Sequence, residues 1–181
     1  MNSFIQDKKT LRQYIRHLKS NLSEEEKRQK SVFIWKQIEE KECFRNAGVL
    51  LLYWSMSDEV DTHDFIMRWH QEKKIVLPII EENNLKLKWF TGTDTLRKHT
   101  ALDLYEPDGT GYVSLTDIDM AIIPGIAFDK KCHRMGRGKG YYDQLLATSD
   151  LYKIGVGFDF QLLDRIPFEE HDVLMDEIIV G

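Results

Sequence analysis

The strongest constraint on the fold is a set of short apolar runs spaced between helix-like patterns. Val49 to Trp54 is apolar without alternation until its polar end, as expected of a strand buried on both faces. Lys74 to Ile80, Asp119 to Pro124, Lys153 to Phe158 and Glu177 to Val180 read as further strands, the first of them ended by Pro78. Leu85 to Thr91 alternates apolar and polar residues, the pattern of an outer or antiparallel strand. Between these lie helical patterns such as Phe65, Ile66, Trp69 and the stretch Tyr141 to Ala147. Strands alternating with helices predict an α/β fold with a mostly parallel sheet flanked by helices on both faces. The 181 residues carry no repeat, low-complexity tract or linker, so a single domain over 1–181 is expected.

In such a fold ligands gather where loops leave the carboxyl ends of strands. The strand at Asp119 to Pro124 feeds the richest of these loops, Pro124 through Asp143. Gly136, Gly138 and Gly140 alternate with Arg137 and Lys139, and Arg134 lies two residues upstream. Glycines let the backbone turn sharply and bring its N–H groups close to an anion, because no Cβ intervenes. A helix opening at Tyr141 would add unpaired N–H groups. Arg supplies a two-pronged donor and Lys a point charge. Five Lys or Arg fall between Lys130 and Lys139 in a chain of net charge −5. That local contrast favours a phosphate cradle over a basic, solvated loop. Neither the P-loop nor the dinucleotide-fingerprint spacing is present.

Composition narrows the classes. The chain is 42% hydrophobic and 30% charged, ordinary for a globular protein. No apolar run approaches the ~20 residues needed to span a bilayer, and no signal-like apolar core follows Met1. Cys43 and Cys132 are isolated and match no metal-ligand spacing, which points to a reducing cytoplasm. The acidic balance argues against nucleic acid as a general partner.

From Lys8 to Leu22 the apolar positions Leu11, Ile15, Leu18 and Leu22 define one helix face. Lys8 and Arg12 are four apart and could reach one anion together, or simply form a solvated basic side. Ser23 and Glu26 form a capping box that opens a second helix, with Val32, Trp35 and Ile38 expected inside. Asp61 or Thr62 reads as the N-cap of the helix at Phe65.

The order Pro124-Gly-x-x-Phe-Asp129, then Arg134-Met-Gly-x-Gly-x-Gly-Tyr-Tyr-Asp143, is similar to the signature of the 5-formyltetrahydrofolate cyclo-ligase family. Lys8-x-x-x-Arg12, Asp58-Glu59-Val60-Asp61-Thr62, Leu77-Pro78, Glu106-Pro107 and Pro167 through His171-Asp172 to Asp176 fall in the family's order, so the resemblance covers essentially the whole chain. It implies conversion of 5-formyltetrahydrofolate to 5,10-methenyltetrahydrofolate with Mg²⁺ and ATP, giving ADP and phosphate. The formyl oxygen would be phosphorylated and N10 would close the ring. It implies Lys8, Arg12, Arg134, Gly136, Arg137, Gly138, Lys139, Gly140, Tyr141 and Tyr142 around ATP. Glu59 and Tyr105, with Arg137 to Tyr141, would meet the folate, and Asp143 and Asp176 would hold magnesium. Arg137 and Lys139 are the catalytic candidates. His171 could be a hydrogen-bonding residue of its loop.

Cys132, Met135 and Val180 depart from residues common in the family, without removing a loop glycine or charge. Should Cys132 need φ > 0, the loop would be mildly strained. Transfer of a phosphoryl group asks for alignment and cations rather than a protein nucleophile. A monomer is expected; polyglutamylation of the folate stays open. Two other classes remain at this point: a nucleotide-binding sensor, and an ATP-dependent ligase or kinase with another acceptor.

Overall fold

The computed structural model describes residues 7–100, 104–109 and 111–181. The start of the chain, and residues 101–103 and 110 of the turn-rich stretch at 94–111, lie outside them. Among the described residues five α-helices, α1 (Lys8–Ser20), α2 (Glu24–Glu39), α3 (Glu42–Asn46), α4 (His63–Trp69) and α5 (Tyr141–Leu146), surround the strands. A six-stranded sheet joins β1 (Val49–Leu51), β2 (Lys74–Glu81), β3 (Asn84–Phe90), β6 (Met120–Pro124), β9 (Tyr152–Gly157) and β11 (Glu177–Val180) in the order β11-β9-β6-β1-β2-β3. All neighbours in it are parallel except β2 and β3. The remaining strands form two small sheets. One pairs β4 (Leu96–Lys98) with β5 (Tyr105–Pro107), and the other orders β10 (Leu162–Leu163), β7 (Ala127–Asp129) and β8 (Arg134–Met135) as β10-β7-β8. The architecture is thus a mixed α/β domain, mostly parallel, with antiparallel parts.

Side-chain alternation along the central strands splits the core between two faces. Leu50, Ile75, Ile122 and Ile154 pack against α2, α3 and α4 through Ile34, Trp35, Ile38, Phe44 and Phe65. Leu51, Val76, Ala121 and Ile123 face the other way, toward Phe128 and Leu146 of α5. Each fully buried aliphatic side chain contributes about 1.5–3 kcal/mol relative to exposure. A third cluster seats α1, through Leu11 and Ile15, on Ile126, Ala127 and Met135 of the small sheet. That docking brings the first helix beside the loop after β8.

Several local expectations need adjustment. The capping box is formed: Ser23 Oγ accepts from the Glu26 N–H, and the Glu26 carboxylate accepts from the Ser23 N–H at 2.8 Å. The buried face of α2, however, is Ser31, Ile34, Trp35 and Ile38, while Val32 is 57% exposed. The 31-34-35-38 stripe turns Val32 away from the sheet. Pro78 does not end β2, which runs on to Glu81 and pairs Pro78 with Leu87. The side of β2 facing β1 includes the Val76 carbonyl, which accepts from the Leu52 N–H, and the Ile80 N–H, which donates to Glu106. Pro78 shares that side beyond the end of β1, so its missing N–H removes no ladder bond. Thr62 is the N-cap of α4 by position, yet its hydroxyl donates to the Tyr53 carbonyl, and it is Asp61 Oδ1 that accepts from the His63 N–H.

Candidate active site

The carboxyl ends of β1 and β6 open into a cavity of about 820 Å³. Its floor is the glycine-rich loop, and the local chemistry explains how that loop is presented. Asp129, 1% exposed, accepts from the N–H groups of Lys131 and His133 and pairs with the His133 ring, pinning the β7–β8 turn. Within the turn Cys132 has φ 65°, the left-handed conformation in which its side chain strains the loop mildly. Beyond β8 a positive φ recurs at two glycines, Gly138 (φ 103°) and Gly140 (φ 67°). At Gly138 a Cβ would also meet the Arg12 guanidinium at 3.4 Å. The helix that follows is only six residues long, so its dipole adds less than a long helix would.

Helix α1 crosses this loop. Arg12 Nε donates to the Gly136 carbonyl at 2.9 Å, and Lys8 Nζ lies 2.9 Å from both Glu169 and Asp172. Both cations line the cavity, beside Lys139, Tyr141 and Tyr142. Burial works against ionisation of Asp172, but hydrogen bonds from Lys8 and the Glu169 N–H hold its carboxyl below the usual range. Arg134 is 4% exposed, and its Nη2 donates to both oxygens of Asp143 at 3.0 Å. It lies over the Tyr142 ring at 5.5 Å. Arg134 is therefore a buried strut beneath the loop, whose Nε lacks a partner among the described residues. Burial, reinforced by the Glu59 charge, pushes the Tyr142 phenol up, so it stays a neutral donor at physiological pH.

The opposite wall comes from the loop after β1. Glu59 Oε2 accepts from the Met56 N–H at 3.0 Å, and Glu59 Oε1 receives Arg137 Nη2, also at 3.0 Å. The same Arg137 nitrogen donates to Asp58 Oδ1 at 2.5 Å. Arg137, expected at phosphate, thus stands bridged to the carboxylate expected at folate. Trp54, stacked on His63 at 4.2 Å, and the half-exposed Tyr105 close this side.

The structure sets the two metal-ligand candidates apart. Asp143 lines the cavity; Asp176 does not. Asp176 sits at the amino end of β9, where Oδ2 accepts from the Lys153 N–H at 2.7 Å and pairs with Lys153 Nζ at 3.0 Å. Parallel strands send those ends away from the cavity. In the loop before Asp176, Glu169 and Asp172 do reach the cavity, and Val173, next to Asp172, donates its N–H to Asp143 Oδ1 at 3.2 Å. Sequence reasoning places Asp58 and Asp172 in motifs without giving either a role, and it passes over Glu169 and Lys19. Lys19 does carry a signal, since it lies 7 and 11 residues after Arg12 and Lys8 on the same helix. Among the described residues no cluster of three or more His, Cys, Asp or Glu side chains forms a ready metal site. Two carboxylates nevertheless suit Mg²⁺, which takes water and phosphate oxygens as its other ligands.

A model of the 5-formyltetrahydrofolate cyclo-ligase family matches residues 4–181. The chain belongs to that family. It is 29% identical to a 5-formyltetrahydrofolate cyclo-ligase from Mus musculus, over 95% of this chain and 92% of the mouse protein. The corresponding protein of Haemophilus influenzae is 27% identical, over 97% and 98%. Among solved structures, the 5,10-methenyltetrahydrofolate synthetase of Aquifex aeolicus superposes with a TM-score of 0.86 at 32% identity, covering 96% of this chain and 89% of that one. The synthetase of Mycoplasma pneumoniae gives 0.77 at 26%, covering 96% and 98%. Family membership makes the protein an enzyme of the cyclo-ligase class, and it makes the cavity the place to look for its chemistry. Among the described residues no helix is long and apolar enough to cross a membrane.

Proposed function

We propose that this enzyme converts 5-formyltetrahydrofolate and MgATP to 5,10-methenyltetrahydrofolate, ADP and phosphate. The observation that carries the reading is the convergence, in one cavity, of Lys8 and Arg12, the glycine loop with Arg137 and Lys139, and Glu59. The formyl oxygen is a poor leaving group until phosphorylated. It attacks the γ-phosphorus as ADP leaves; N10 then adds to the activated carbon and loses its proton, and phosphate departs as the ring closes. The protein's task is to align two substrates and neutralise charge on the transferring group.

Gly136, Gly138 and Gly140 offer backbone N–H groups to phosphate oxygens, with Lys8, Arg12 and Lys139 as counter-charges. Arg134 acts from beneath by holding Asp143. Glu59 accepts donors from the folate ring, and Arg137 stands between the ring and the phosphates. Tyr105 and Tyr141 supply aromatic wall. Asp143 and Asp172 would hold Mg²⁺, which when bound neutralises phosphate oxygens as a Lewis acid. Asp172 retains lone pairs for this on Oδ1, since Lys8 and the Glu169 N–H both address Oδ2. Every residue invoked comes from one chain, so a monomer suffices. The free thiols Cys43 and Cys132 suit a reducing cytoplasm.

The test is absorbance in the methenyltetrahydrofolate band after mixing protein, 5-formyltetrahydrofolate, ATP and Mg²⁺. A rise that vanishes without ATP or metal is expected. A folded sample that binds ATP and gives no rise would redirect the reading to another acceptor or a sensor.

A further inference from the structure

Two adjacent carboxylates hold Arg137, and they are not equivalent. Glu59 is 11% exposed and lines the cavity; Asp58 is 35% exposed and does not line it. If Glu59 binds the folate ring as proposed, it must give its acceptors to that ring, and it then loses some or all of its hold on Arg137. Asp58 has no such competing duty. Its second oxygen, Oδ2, faces Lys19 Nζ at 3.7 Å. Lys19 is 3% exposed in the last turn of α1, and Asp58 is the carboxylate it pairs with among the described residues. Lys8, Arg12 and Lys19 fall within about 40° of one another around an ideal helix, and Lys19 is about 16 Å along the axis from Lys8. One rigid helix therefore carries cations to the phosphate end of the cavity and a buried cation to the back of Asp58.

A lysine is rarely buried this deeply without a partner, and its placement behind a loop carboxylate fixes where that carboxylate points. We propose that Asp58, anchored by Lys19, is a positioning residue that retains Arg137 at the cavity wall when Glu59 turns to the substrate. Without Asp58, the guanidinium has Glu59 alone, and the folate must break that pair to bind. The proposal rests on the assignment of Glu59 to the folate ring.

The experiment compares wild type, Asp58→Asn, Arg137→Gln and the double variant. It measures KM for each substrate, kcat, and equilibrium binding of 5-formyltetrahydrofolate by the intrinsic fluorescence of the cavity tryptophan, with thermal midpoints alongside. Asp58→Asn should raise KM and Kd for 5-formyltetrahydrofolate about tenfold, with KM for ATP within about twofold. In the Arg137→Gln background the same change should alter Kd by less than about twofold, because Asp58 acts only through Arg137. Lys19→Arg should behave as wild type. Since Asp58→Asn leaves a buried lysine unpaired, Lys19→Met with Asp58→Asn removes both charges, restores folding, and should keep the raised folate KM. An unchanged folate KM in folded Asp58→Asn or in that paired variant would overturn the proposal. So would an equal effect with and without Arg137. Wild-type protein that neither binds nor converts the folate would overturn the functional reading itself, and this inference with it.

Discussion

The two ends of the central sheet both carry carboxylates, and they use them differently. At the amino ends, Asp119 Oδ2 accepts from the Gly48 and Val49 N–H groups, and Asp176 Oδ2 accepts from the Lys153 N–H. These acids accept from the donors that open a strand. At the carboxyl ends, Glu59, Asp143 and Asp172 are matched to Arg137, Arg134 and Lys8 around an open cavity. The first set closes the sheet. The second set holds cations around the cavity: Lys8 and Arg137 at its surface, and Arg134 buried beneath the loop. An acid's role here follows from the end of the strand at which it sits, and adjacency to a motif is a poor guide.

The sharpest way to break this contrast is at the carboxyl end. Arg137→Glu places a third negative charge beside Asp58 and Glu59, and turnover should fall at least a hundred- to a thousandfold. Circular dichroism should show the fold unchanged; a fully active variant would remove Arg137 from the site. Asp143→Ala leaves the buried Arg134 unpaired, and a cost of about 3–5 kcal/mol is expected in urea unfolding, together with lost activity. Gly138→Ala forces an L side chain to φ 103° against the Arg12 guanidinium, for about 1–3 kcal/mol and a weaker ATP affinity by titration.

The amino end provides the control. Asp176→Asn should cost about 1–2 kcal/mol of stability through Lys153 while kcat/KM and the magnesium dependence stay at wild-type values. A loss of magnesium affinity there would restore Asp176 to the metal site. The smallest effect is in acid. Asp172 ionises more readily folded than unfolded, so the unfolded chain binds more protons in that window and stability falls with pH. The stability difference between wild type and Asp172→Asn should be full above the ordinary value of 3.8 and shrink as pH drops below it.

Features governed by short-range backbone chemistry are legible in the sequence. The capping box at Ser23 and Glu26 and the strands at Asp119 to Pro124 and Glu177 to Val180 all depend on residues a few positions apart. The glycine loop is legible for the same reason, and so is the amphipathic face of α1. Legibility fails wherever a neighbour from elsewhere in the chain decides the outcome. Local spacing puts Val32 in the core, but the direction in which α2 faces the sheet is a packing choice. Pro78 looks like a stop because nothing nearby in the chain reveals that β1 ends before reaching it.

Composition, periodicity and turn chemistry by themselves determined an α/β chain with a basic, glycine-rich loop after a buried strand, since those signals live in local sequence. Tertiary structure alone decided the partners: Arg137 with Asp58 and Glu59, 79 and 78 residues away, and Lys8 with Asp172, 164 residues away. It also decided that Asp172 faces the cavity while Asp176, four residues later, closes the far end of the sheet. The physical reason is that long-range ion pairs form only after the apolar faces have packed and set strand direction, so their geometry is a consequence of the assembled core.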